Sequence, residues 1–576
     1  MSLPEHLYFT QRKTAIRTSV LYTNFFSRLF LGFMLEVCPK ETASMLTRDG
    51  VRLDADIYRP DAAGEFPVLL MRQPYGRAIA STVVYSHPAW YAKHGYIVVI
   101  QDVRGRGTSE GEFNLFVSET ADGFDTVNWA ANLPGSSGKV GMYGFSYQGM
   151  TQLYAAAAKP SALITICPAM VGCDLYADWA YECGAFCLQS NLGWAIQLAA
   201  ETARLKGDIS AHQSLYAASR NLPLYDTVPA SPEIIQELAP YSYYHAWLDN
   251  YQPSEYWDKL SPNIKDLDLP MLHVGGWFDT YLRGTIHLYQ EMAGRSSWPQ
   301  HLIVGPWTHL PWGRKVGALD YGLVASNPVD ELQIRWFDQF LKGVDTGILN
   351  ERPISLFEMG TNDWRQFDKL PHNHHKSYFL ASTGLAAMRE DAGILTDSCA
   401  DVCTDDIFVH DPWRPVPSLG GHAAFPAGSF ERSTVDCRTD VLTYTSAPLT
   451  ADLHLAGEVF VEVFCTADAP TFDLCAILSE VKESGSAYNF TQGYVRVNSG
   501  ETPVTIVLQA TCMQIAKGNA LRLSLSAACF PAYDVNPGTG APPGAARAID
   551  AKIITLTVSC GGSCPSQILL PIVDRT

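Results

Sequence analysis

Six short apolar runs limit most of what this chain can become: residues 66–71, 96–103, 140–145, 163–167, 270–274 and 302–304. A strand with one wet face alternates polar and apolar residues, whereas near-continuous runs of this kind must be buried on both faces. Helical patterns separate several of them, so the expected core is a parallel sheet covered by helices. Ahead of it, residues 43–47, an Asp49-Gly50 turn and the alternating stretch 51–58 read as a β-hairpin. The helix before residue 140 is expected to be capped by Thr120 or Asp122 and to end at Pro134-Gly135.

The rhythm of strand and helix breaks after residue 167. Residues 168–250 carry helical patterns rich in Ala, Leu, Tyr and Trp, which reads as a helical cap inserted over the carboxyl edge of the sheet. From residue 352 the texture becomes short β-rich runs, such as 354–357, 441–444, 459–463, 504–508 and 553–558, separated by turns. An antiparallel sandwich is expected there. The four expected units are an N-terminal helical segment at 1–40, a catalytic domain at 41–167 and 251–351, the cap at 168–250, and the sandwich at 352–576.

Composition narrows the class of partner. The 41 Lys plus Arg against 59 Asp plus Glu give a formal charge of -18, which repels phosphate backbones, so nucleic acid is excluded as an expected partner. Arg12, Lys13 and Arg17 precede an apolar stretch at 20–33, but Ser27 and Arg28 interrupt it and no small-residue cleavage site follows. An amphipathic helix packed on the body is expected, with a surface anchor as the alternative. The fourteen cysteines lie scattered in mostly apolar surroundings, which favours buried free thiols and a cytoplasmic setting. Three pairs share C-x3-C spacing: Cys183 with Cys187, Cys399 with Cys403, and Cys560 with Cys564. No zinc-finger spacing accompanies them, and no metal is expected.

The chemistry is concentrated in Gly144-Phe145-Ser146-Tyr147-Gln148-Gly149, between an apolar run and a helical pattern at 151–158. A nucleophilic serine on a sharp strand-to-helix turn needs small neighbours, here glycines, although the second comes one residue later than in G-x-S-x-G. Such a serine needs a base and an acid in the chain order Ser, Asp, His. Asp279 ends Gly275-Gly276-Trp277-Phe278-Asp279 and His309 ends Gly305-Pro306-Trp307-Thr308-His309, each directly after an apolar run. All three residues therefore belong at the carboxyl edge of one sheet.

With Arg72-Gln73-Pro74-Tyr75, Asp102-Val103-Arg104-Gly105-Arg106-Gly107-Thr108-Ser109, Asp411-Pro412 and the stretch 440–446, these motifs resemble the cocaine esterase-like (CocE/NonD) serine hydrolases. That family is related to Xaa-Pro dipeptidyl-peptidases, glutaryl-cephalosporin acylases and α-amino-acid ester hydrolases, and the late glycine is its own form of the elbow. The resemblance implies an α/β-hydrolase fold with a helical cap insertion plus a C-terminal all-β jelly roll. It implies cleavage of an acyl ester or amide through an acyl-enzyme on Ser146, with His309 as base, Asp279 orienting it, and no cofactor. The oxyanion donors it implies are the Tyr147 backbone N–H and the Tyr75 hydroxyl.

The expected partner is a small-molecule ester or amide, without a clear membrane partner, and a homodimer is open. Tyr281, Phe425, Trp179 and Trp194 are substrate-binding candidates, although the cap aromatics, Tyr181 and Phe186 among them, equally suit the cap's own core. The Arg104 to Gly107 run is expected to be a structural turn, Asp122 and Asp125 to serve a helix start, and His422 to lie at a pocket rim or surface. An X-Pro dipeptidyl-peptidase, amino-acid ester hydrolase or acyltransferase is the alternative, with Glu182 as candidate for a substrate ammonium. A non-catalytic jelly-roll binding protein is the remote one.

Overall fold

A computed structural model describes residues 34–78, 82–228, 230–371 and 374–574. Ten strands form the first sheet: β1 (Glu41–Leu46), β2 (Arg52–Tyr58), β3 (Phe66–Gln73), β4 (Ile97–Asp102), β5 (Ser136–Phe145), β6 (Leu163–Ala169), β7 (Met271–Phe278), β8 (Gln300–Thr308), β9 (Ile354–Glu358) and β10 (Asp363–Phe367). Their order across the sheet is β1-β2-β4-β3-β5-β6-β7-β8-β9-β10. Every pair from β4 to β9 is parallel, and the antiparallel pairs lie at the two ends. The six apolar runs are β3 to β8, and most of their residues are buried, as a doubly covered sheet requires.

Helices α1 (Pro88–Lys93), α2 (Glu119–Ala131) and α3 (Tyr147–Ala157) fill the crossovers between β3 and β6. Helix α2 starts one turn earlier than the sequence suggests, with Ser118 at the N-cap position, so Thr120 and Asp122 lie inside its first turn. Asp122 instead accepts from Arg104 Nε and Nη2, and Asp125 pairs with Arg48. The expected structural turn at Arg104 is thus built from ion pairs that also hold Asp49.

Between β6 and β7 stand helices α4 (Leu188–Leu205), α5 (Ile209–Arg220), α6 (Glu233–Leu238), α7 (Tyr243–Asp249) and α8 (Glu255–Leu260). Helix α8 extends this layer ten residues beyond the expected limit at 250, because Trp257 packs on Tyr176, Tyr181 and Trp247. The layer has no core separate from the sheet. One apolar cluster runs from Val68, Val99 and Met142 through Leu153 to Trp179, Leu192, Ile196 and Trp247.

After β7 come α9 (Leu282–Arg295) and, beyond β8, α10 (Val329–Phe337). The run at 354–357, expected in the sandwich, joins the first sheet: it is β9, parallel to β8, and β10 turns back on it. The eleven-stranded second sheet begins with β11 (His374–Ser382). Its apolar face merges with the first sheet: Trp277, Phe278, Leu302 and Val304 share a cluster with Leu455, Val461, Leu474 and Ile506.

The expected N-terminal helix falls mostly outside the described residues. Residues 34–40 are extended, bridging Val37 to Pro60 and bonding Leu35 to Lys93. Among the described residues no helix is long and apolar enough to cross a membrane.

Candidate active site

Ser146 sits between the last residue of β5 and the first of α3 with φ 59° and ψ -127°, a left-handed conformation that costs a non-glycine residue energy. The turn is forced by close packing. A Cβ at Gly149 would lie 2.3 Å from Val171 Cγ1 and 3.0 Å from the Ala169 carbonyl oxygen, so the helix meets β6 only if that residue is glycine. Gln152 fastens the turn from below, its Nε2 donating to the Gly144 and Gln148 carbonyls and its Oε1 accepting from Cys167 N–H.

Asp279 follows β7 and His309 follows β8, two and three strands along from Ser146. His309 Nδ1 lies 2.8 Å from Asp279 Oδ1, and the carboxylate is wholly buried. The Phe145 ring, adjoining Ser146, stands 5.4 Å from the His309 ring. Gly276 allows the two strand ends to approach, since a Cβ there would meet the Trp307 carbonyl oxygen at 2.4 Å. A residue that sequence inspection did not single out holds the same turn: Gln509, in the C-terminal sheet, donates from Nε2 to the carbonyls of Trp277 and Asp279, each at 3.1 Å.

Tyr75 lies on the turn after β3, with its backbone N–H on Gln73 Oε1 at 2.7 Å. Gln73 Nε2 in turn donates to Asp102 Oδ1, and Arg77 binds both oxygens of that carboxylate. Burial pushes the Tyr75 phenol up to about 12, against smaller opposing effects of Trp194 and Arg106, so it stays a donor at neutral pH. The Trp194 indole N–H donates to the Tyr75 oxygen at 3.0 Å.

Tyr147 is the first residue of α3, where backbone N–H groups have no partner within the helix. Its side chain points into the core, where the hydroxyl donates to Glu119, itself paired with Arg72. Arg106 is buried over the Phe113 ring with one bond to the Leu198 carbonyl, and burial pulls it down to about 10.

The pocket candidates divide. Tyr281 stands edge-on to His309 at 5.1 Å and stacks on Trp179 at 3.9 Å, and Trp179 contacts Trp194 at 5.5 Å. These three therefore link His309 to Tyr75 in one aromatic arc. Phe425 does not join them. Its side chain is 79% exposed, while its backbone bonds Gln189 of α4.

His422 is buried, not at a surface, and binds Glu182 Oε2 at 3.0 Å. Glu182 also receives Tyr533 on that oxygen and Arg283 and the Tyr494 N–H on the other. Its carboxylate is occupied on both sides, which leaves no place for a substrate ammonium. Among the described residues no group of three or more His, Cys, Asp or Glu is arranged to hold a metal.

Known proteins align with this arrangement along nearly its whole length. Residues 49–311 match the X-Pro dipeptidyl-peptidase (S15 family) model, and residues 346–569 match the X-Pro dipeptidyl-peptidase C-terminal non-catalytic domain. Cocaine esterase of Rhodococcus sp. (strain MB1 Bresler) is 30% identical over 561 residues, covering 92% of this chain and 97% of that protein. A putative serine esterase of Mycobacterium bovis is 26% identical, covering 78% and 79%. Among solved structures, an aminopeptidase from a marine sediment Thaumarchaeota archaeon superposes with a TM-score of 0.77 at 22% identity, covering 93% and 96%. An α-amino acid ester hydrolase does so at 0.74 and 22%, covering 94% and 97%. The chain belongs to the serine hydrolase family that joins cocaine esterase with the X-Pro dipeptidyl-peptidases, and it is a hydrolytic enzyme.

Proposed function

We propose that the enzyme cleaves a small-molecule acyl ester or amide through an acyl-enzyme on Ser146. The observation that carries this reading is the convergence of Ser146, Asp279 and His309 at the carboxyl ends of β5, β7 and β8, with His309 Nδ1 on Asp279. In the reaction Ser146 Oγ attacks the acyl carbon while His309 Nε2 takes its proton, and Asp279 holds the imidazole in the tautomer that leaves Nε2 free. The proton then passes to the leaving alcohol or amine. Water repeats the sequence to release the acid. The oxyanion is held by the Tyr147 N–H and the Tyr75 hydroxyl, the second kept protonated by burial.

Strand order, parallel centre and the layer between β6 and β7 support an α/β-hydrolase fold with a helical cap at about 170–260. The eleven-stranded C-terminal part, from about residue 374, is read as the jelly roll. Preference for esters of uncharged acyl groups over amino-terminal peptides is supported by Glu182, whose oxygens are already taken. The test is Ser146→Ala beside wild type on p-nitrophenyl and amido-coumarin substrates of varied acyl group, with a fluorophosphonate probe. Turnover and labelling are both expected to vanish while the melting temperature holds. Persistent labelling of the variant rejects the assignment.

A further inference from the structure

Two of the three C-x3-C pairs, far apart in sequence, meet on one edge of the C-terminal sheet. Strands Thr404–His410 and Ile554–Cys560 run antiparallel with Thr404 opposite Cys560, and Gly561 forms a bridge with Cys564. The Cys564 N–H closes a tight turn back onto the Gly561 carbonyl at 2.9 Å, and this turn lies against Cys403. The residue packed on Cys403 is a glycine. A Cβ at Gly562 would lie 3.3 Å from Cys403 Cβ and 3.0 Å from its nitrogen, and the Gly562 N–H bonds the Ala400 carbonyl.

The four thiols are not equivalent. Cys560 is buried and donates to the Thr404 carbonyl, and Cys399 donates to the Ala400 carbonyl. Cys403 is exposed and Cys564 is half-buried, and the two thiols lie close enough to interact electrostatically. Cys403 therefore lies against the turn that carries Cys564, with a glycine packed on it, and neither thiol is fully buried.

We propose that Cys403 and Cys564 form a reversible intramolecular disulfide when the protein meets a peroxide or a low-molecular-weight disulfide. With hydrogen peroxide, one thiolate attacks the O–O bond to give a sulfenic acid and water, and the second thiol displaces the oxygen as another water. Two S–H bonds and one O–O bond are lost, one S–S bond forms, and the two electrons from sulfur reduce the peroxide. Partial desolvation, then Cys564, Asp405 and Cys399, hold the Cys403 thiol above its ordinary value, so oxidation accelerates as pH rises. The bond joins segments far apart in sequence, and closing so long a loop restricts the unfolded chain more than the folded one. Its effect is on stability, independent of the reading of Ser146.

The full chain is treated with hydrogen peroxide or glutathione disulfide, blocked with iodoacetamide, digested without reductant and mapped by mass spectrometry. The expected product is a Cys403–Cys564 linked peptide, lighter by two hydrogens, lost on dithiothreitol and absent from Cys403→Ser. Oxidation should raise the melting temperature of wild type by several degrees and leave that of Cys403→Ser unchanged. The proposal is overturned if the two cysteines are alkylated separately after oxidation, or if either is found bonded to Cys399, to Cys560 or to a second chain.

Discussion

The Trp194 indole N–H donates to the Tyr75 hydroxyl oxygen at 3.0 Å, which ties a residue of the cap to the proposed oxyanion site. A tyrosine hydroxyl has one proton to give. With Trp194 donating to its oxygen, that proton is directed away from the indole. If Tyr75 serves the oxyanion as proposed, Trp194 acts as a positioning residue.

Trp194→Phe keeps the ring and removes only the donor. It should lower kcat about 10-fold with little change in KM, against a loss of roughly 100- to 1,000-fold for Tyr75→Phe. The double variant should be no worse than Tyr75→Phe alone, because the indole acts through the phenol. Additive losses in steady-state kinetics would separate the two residues and remove the link.

Gln509 offers a comparable test from the opposite side. Its amide satisfies the carbonyls of Trp277 and Asp279 inside the core. Gln509→Leu leaves both acceptors buried without that donor, at a cost of about 1–3 kcal/mol each. The Asp279 turn should loosen, so kcat and the rate of fluorophosphonate labelling should fall together while KM holds. A variant that melts early yet labels at the wild-type rate would make Gln509 merely structural. The C-terminal part would then have no role in the catalytic turn.

The places of Asp279 and His309 at strand ends were legible because each directly follows an apolar run, and such runs fix both the strand and the edge at which it ends. The sharp turn at Ser146 was legible from its glycines. The run at 354–357 was grouped with the later strands by its β-rich texture, which cannot show its partner: it lies parallel to β8 across a crossover that holds α10, and β10 turns back on it. Two of the partners by which Trp257 ties α8 to this layer, Tyr176 and Tyr181, lie about 80 residues earlier, beyond the reach of any local pattern. Gln509 and Trp194 were hidden for the same reason. Their roles are single hydrogen bonds across units, and no periodicity records those.

Phe425 marks the other limit of sequence reading. A phenylalanine after a proline-rich stretch suggested a pocket wall, but its side chain faces solvent and only its backbone is engaged. Phe425→Ala should change stability by no more than about 0.5 kcal/mol and leave acyl-chain preference as in wild type. A shift in that preference, measured on a p-nitrophenyl ester series, would return Phe425 to the pocket.

The buried carboxylate of Glu182 makes stability depend on pH. Burial alone would raise it, but Arg283 and His422, with the Tyr533 hydroxyl, overcome that and hold it at about 2. Unfolded, the group titrates near 4.3. A depressed folded value means the stabilisation is fully present above the unfolded value and lost as pH falls toward the folded one, here between about 4.5 and 2. The contribution is on the order of 3 kcal/mol, from about two units at 1.36 kcal/mol each. Glu182→Gln leaves Arg283 buried without its anion and should cost about 3–5 kcal/mol at neutral pH. Because the other acidic groups are common to both proteins, the difference between wild type and Glu182→Gln in urea unfolding isolates this residue. That difference should be constant from pH 7 to 5 and shrink below pH 4. A difference that stays level down to pH 3 would mean that the folded environment does not lower the Glu182 carboxyl.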